Sequence, residues 1–164
     1  MIDMAAAAKP PPQGPIPESE LDARLKDLLS YWRGKCRDGR LPSRTDIDPL
    51  DLRGLLGNIN LIDVVPQPDG KPRFRYRLFG TEFIFYHGGD LTGHWVDDIA
   101  NTVYRDQLVS LYTHVIATAA TPMLSYDYLL DSRRHRFQAV ILPLASDGRH
   151  IDMILSSGLP VAIY

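Results

Sequence analysis

The stretch HRFQAVILPLASDGRHIDMILSS, residues 135–157, decides the fold. From Phe137 to Leu144 both alternations are apolar, with Phe137, Ala139 and Ile141 on one side and Val140, Leu142 and Leu144 on the other. A strand that is apolar on both faces belongs inside a sheet covered on both sides. Asp147-Gly148 is a tight-turn pair, so His135–Ala145 and Arg149–Ser157 read as two strands of a hairpin. The rest of the chain must supply the neighbouring strands and the two covers.

Working outward, Met123–Leu130 alternates, with Leu124, Tyr126, Tyr128 and Leu130 on one side and Ser125 and Asp127 on the other. The Asp131–Arg134 segment is its hairpin loop. A long helix is expected over 101–118, with Tyr104, Leu108, Leu111, Tyr112, Val115 and Ala119 along one face. Before it, TEFIFYH (81–87) reads as a short helix capped by Thr81 and closed by Gly88-Gly89, followed by a turn-rich run through Trp95. Ile59–Val65 and Arg73–Leu78 form another hairpin around Asp69-Gly70. In its second strand Phe74, Tyr76 and Leu78 share one face, and Arg73, Arg75 and Arg77 share the other, facing acids such as Asp22 and Asp27 or a partner.

Two helical segments precede the strands. Leu21, Leu25, Leu28, Leu29 and Trp32 form an amphipathic stripe, with Ser19 as the expected N-cap and Gly34 or Gly39 as the stop. Asp48-Pro49 opens a short helix, with Ile47 and Leu52 placed as a hydrophobic staple and Gly57-Asn58 as the stop. Residues 1–17, rich in Ala and Pro, read as a disordered tail, and 18–164 as a single domain.

Composition narrows the function. The chain has 164 residues, 45% of them hydrophobic and 23% charged, as in ordinary globular proteins. Eighteen Lys and Arg against twenty Asp and Glu give a net charge of −2. That balance argues against a nucleic-acid binder and against a surface drawn to anionic membranes. Cys36 is the single cysteine, which excludes an intrachain disulfide and a Cys-based zinc site and fits a reducing, cytoplasmic compartment. The longest wholly apolar run, Ala139–Ala145, is far below the ~20 residues that span a bilayer. The N-terminus lacks the basic start and apolar run of a targeting signal. No G-x-S-x-G, P-loop, G-x-G-x-x-G or H-E-x-x-H pattern is present, and no metal site is expected. The chain is therefore read as non-enzymatic.

The assembled expectation is an α+β domain of five antiparallel strands, split two and three around a helical insert, with an N-terminal amphipathic helix. At this point LPSRTDIDP (41–49), LLGNINLIDVV (55–65), FRYRLFGTE (74–82), GGDLTG (88–93) and the hairpin at 135–157 carry a resemblance. Over about residues 20–158 the chain resembles PAS domains, in particular a group of short bacterial PAS-like proteins. His94 stands where that group usually carries a basic residue.

The resemblance implies a sensory or regulatory module used in signal transduction, with a small-molecule cavity between the sheet and the helices. Phe83, Tyr86, Trp95, Tyr112, Tyr126, Tyr128, Phe137 and Met153 are the expected lining residues. PAS-like domains that hold haem use a helical histidine, which makes His114 and His87 the candidates here. The stripe Leu21, Leu25, Leu28 and Trp32 either covers the outer sheet face of its own chain or meets a second copy in a homodimer. The chain ends seven residues after the last expected strand, so the signal is expected to leave through a separate output protein or through dimer formation. The other reading is an interaction or scaffold dimer with a filled core and no ligand.

Overall fold

The structure, a computed structural model, describes residues 12–164. Its centre is one antiparallel sheet of six strands in the order β1-β4-β5-β6-β2-β3. These are β1 (Pro12–Pro15), β2 (Ile59–Val65), β3 (Arg73–Leu78), β4 (Met123–Leu130), β5 (Arg133–Leu144) and β6 (Met153–Ile163). Three α-helices join them: α1 (Ala23–Lys35), α2 (Thr81–His87) and α3 (Thr102–Thr118).

β5 lies between β4 and β6, and its residues Phe137 and Ala139–Leu144 are buried. Val140, Leu142 and Leu144 join Leu155 and Leu159 of β6 in a core beneath Leu25, Leu28, Leu29 and Trp32 of α1. Each such leucine contributes about 1.5–3 kcal/mol of burial. The Trp32 indole N–H also donates to the Pro143 carbonyl at 2.9 Å. On the opposite face, Ile141 and Ile154 meet Ile62, Phe74, Tyr76 and Phe79, beneath Val96, Tyr112 and Val115 of the insert. The turn between β4 and β5 is only Asp131-Ser132, both at positive φ (50° and 62°), as a two-residue hairpin requires.

Several expectations are corrected. The sheet has six strands rather than five, because Pro12–Pro15 pairs with β4 through Pro12↔Tyr126 and Pro15↔Leu124. An edge position tolerates prolines, since their missing N–H faces no neighbour. The expected tail over 1–17 therefore gives way to structure from residue 12, and its part over 1–11 lies outside the described residues. The last strand starts later and runs further than 149–157. The Asp147 carboxylate accepts from the Arg149 and His150 amides at 2.8 and 2.7 Å and holds both in the turn. Beyond Ser157 β6 pairs with β5 alone, so Pro160 sits on a free edge.

The N-cap of α1 is Asp22, which accepts from the Arg24 amide at 2.9 Å, and Ser19 lies in the 3-10 turn before it. The helix passes through Gly34 and ends at Cys36. A register shift between Leu61 and Ile62 turns Leu78 outward to 42% exposure and buries Phe79 in its place. The arginines of β3 find acids nearer than α1: Arg73 pairs with Asp97 at 2.9 Å, and Arg75 and Arg77 reach Asp63 at 3.7 and 2.9 Å.

The stripe of α1 is also resolved. Leu21, Leu25, Leu28 and Trp32 are 0–7% exposed within their own chain. They cover the outer sheet face, and that face is not free to form the expected homodimer or partner surface.

Candidate functional site

Between the sheet and the insert helices lies a cavity of about 780 Å³. Its floor is made of strand residues with little side chain. Ala139 pairs with Gly158, Ile141 with Ser156 and Val140 with Ser157 across the β5–β6 ladder. Ala139, Ser156, Ser157 and Gly158 all line the cavity. Opposite them α2 presents Phe83 and His87, one turn apart, and α3 presents Tyr104, Leu108, Leu111 and Tyr112. Leu124, Tyr126 and Tyr128, alternate residues of β4, form a side wall. Large rings across from small floor residues cannot close the space. Interiors are normally packed with few voids larger than a water, and this volume falls in the range of small-molecule sites.

α2 and α3 are held by local sequence. Asn101 caps α3 by accepting from the Tyr104 amide at 3.0 Å. α2 starts at Gly80, whose amide donates to Asn60 Oδ1 at 2.8 Å, and ends at Gly88 in the left-handed conformation, φ 85°. Asn60 also lines the cavity, so one buried amide joins the cavity floor to the start of α2. Gly158 is a second close approach: a Cβ there would stand 3.2 Å from Phe83 Cζ and from the Tyr126 hydroxyl.

The buried phenols of the site stay protonated. Burial first, then neighbouring phenols, push Tyr76, Tyr126 and Tyr128 well above the ordinary tyrosine value. Tyr104 and Tyr112 are raised by the same burial. The Tyr112 hydroxyl is coupled to those of Tyr76 and Ser156, and the Tyr104 hydroxyl to that of Tyr128. His87 lines the cavity, and its Nε2 has no hydrogen-bond partner; the unpartnered Ser157 Oγ is on the other face of the sheet, beside Val140 and Ile59.

Burial holds His87 below the ordinary imidazole value of about 6.5. The unfolded chain then takes up the proton first as the pH falls. This contribution to stability is intact above about pH 6.5 and is lost as the pH drops through the lowered folded value. His87→Phe is expected to flatten the decline between neutral and mildly acid pH in urea melts. An unchanged slope would show that His87 does not carry it.

Of the expected lining residues, Phe83, Tyr112, Tyr126 and Tyr128 line the cavity. Tyr86 and Phe137 stand behind that wall, 4.7 Å apart edge-to-face, with Phe137 stacked on Tyr126 at 5.5 Å. Trp95 is elsewhere. Its ring lies under the Arg73 guanidinium at 4.0 Å, with Arg75 at 5.2 Å, where the loop closes over the β3 edge. Met153 is on the other sheet face, in the core beneath α1.

Asn60, Tyr76, Phe79, Tyr104, Leu111 and the Ser156–Gly158 run were not among the expected lining residues, yet they line it. The available signal was a polar or very small residue on the inward alternation of a strand otherwise apolar. His135 is buried at 9%, with its ring 5.6 Å from that of Tyr86.

Both histidines considered for haem line the cavity, His87 half-buried on α2 and His114 exposed on α3. No Lys or Arg lines it. The two carboxylates of haem would meet no positive charge there and would face Asp106, so the lining does not suit haem. Among the described residues no group of three or more His, Cys, Asp or Glu could hold a metal ion. Among them, too, no helix is long and apolar enough to cross a membrane.

A family model described as PAS domain matches residues 22–157. No curated protein matches the chain.

Proposed function

Because the chain belongs to the PAS domain family, we propose that it is a non-enzymatic sensory or regulatory module that binds a small molecule between sheet and helices. The observation that carries this reading is the 780 Å³ cavity, walled by aromatic rings, with the unpartnered His87 Nε2 in its lining. The signal is a population shift. A ligand bridging α2, α3 and the sheet favours one packing of these layers, and β5, which touches both cores, passes the bias to α1. A separate output protein, or a second copy of the chain, reads the change.

The scaffold reading called for a filled core, and the cavity speaks against it. Thermal melts of the chain with fractionated small-molecule extracts test the proposal. A ligand at 100 times its Kd stabilises by about 2.7 kcal/mol, or roughly 5–10 °C at this chain length. At least one fraction is expected to raise the Tm by several degrees; no shift with any fraction would overturn the proposal.

A further inference from the structure

Resting on the reading of the cavity as a ligand site, we infer that its occupant is an uncharged, ring-bearing molecule with a hydroxyl or carbonyl group that meets His87. Charge is the first argument. No Lys or Arg lines the cavity, and the acid in the lining, Asp106, is 71% exposed at the rim and paired with Arg105 at 3.0 Å. An anion would leave water for walls with no positive group. An organic cation would gain from the ring faces but would find no acid inside. Either charge would be buried without a counter-ion, which is costly.

Shape is the second argument. Tyr76, Phe79, Phe83, Tyr112, Tyr126 and Tyr128 surround the space with ring faces and edges. Phe79 and Phe83, with centroids 5.9 Å apart and planes tilted by 41°, stand beside the edge-on contact of Tyr76 and Phe79. Flat ring systems meet such walls in offset or edge-on geometry, which adds to the gain from burial alone.

An unmet hydrogen bond is the third argument. His87 lines the cavity from α2, and its Nε2 is buried without a partner. Buried polar atoms are almost always paired, and leaving one unpaired costs about 1–3 kcal/mol. A pure hydrocarbon would leave it unmet. A hydroxyl can donate to the imidazole nitrogen or accept from its N–H, and a carbonyl can accept from that N–H.

The test is a probe series on the full chain near neutral pH: naphthalene, 2-naphthol, 2-naphthoate and 2-naphthylmethylammonium, followed by calorimetry and thermal shift. The expected order places 2-naphthol first and naphthalene second, with both charged probes weaker than 2-naphthol by at least about tenfold. His87→Leu is expected to remove the advantage of 2-naphthol over naphthalene and leave naphthalene binding intact. A charged probe binding tightest, or His87→Leu keeping the full preference, would overturn the inferred chemistry while the ligand site stands. If no probe binds, or if Leu111→Trp leaves binding unchanged, the ligand-site reading itself fails.

Discussion

Gly80→Ala is expected to destabilise the chain by about 3 kcal/mol, lowering the Tm by roughly 6–12 °C. The cause is steric and not conformational, because Gly80 has an ordinary φ of −62°. A Cβ at this position would lie 2.5 Å from the Gly57 carbonyl oxygen and 2.7 Å from that of Ile59. Both are backbone atoms at the entry to β2 and cannot step aside as a side-chain tip would. Moving Gly80 away would break its hydrogen bond to Asn60 and shift the first turn of α2, which carries Phe83 and His87 into the cavity wall.

Gly34→Ala provides the contrast. It lies inside α1 with no atom within 4 Å of the added Cβ, so it should stabilise by about 0.5–1 kcal/mol. Chemical denaturation of the two variants measures both effects. Equal midpoints for Gly80→Ala and the unsubstituted chain would show that the Gly57–Gly80 approach is not close in solution.

Much of this architecture was legible because the signals were local or periodic. The doubly apolar alternation of Phe137–Leu144 placed β5 inside the sheet, and the 3.6-residue stripes placed α1 and α3. Pro12–Pro15 was read as solvated chain because proline lacks the donor a strand needs, and only the partner β4 shows that an edge is available. The extension of β6 through Pro160 was hidden for the same reason.

The candidate site was half legible. Aromatic residues on inward alternations led to Tyr126 and Tyr128, whereas Trp95 and Met153 were misplaced because hydrophobic bulk does not say which face of a sheet a residue meets. The cavity comes from the reverse signal: small residues, Ala139 and Ser156 to Gly158, lying opposite large ones. That pairing depends on the β5–β6 register, which no single segment encodes.

The second large effect concerns occupancy. Leu111 projects from α3 toward the cavity and Ala139 from its floor, and both line it. Leu111→Trp combined with Ala139→Leu adds side-chain volume from roof and floor into empty space. The variant should fold, because the added atoms gain contacts instead of displacing packed neighbours. It should bind little, because rings from above and branched carbons from below then occupy the ligand's place. The loss is expected to be nearly complete, well beyond the effect of any single lining hydroxyl.

The direct measurement is the shift in Tm caused by a stabilising extract fraction, taken side by side on the unsubstituted chain and on Leu111→Trp/Ala139→Leu. A rise of several degrees in the first and none in the second, with both variants folded, is the result expected of a ligand held between sheet and helices. An equal rise in both would place the ligand outside the cavity and contradict the account.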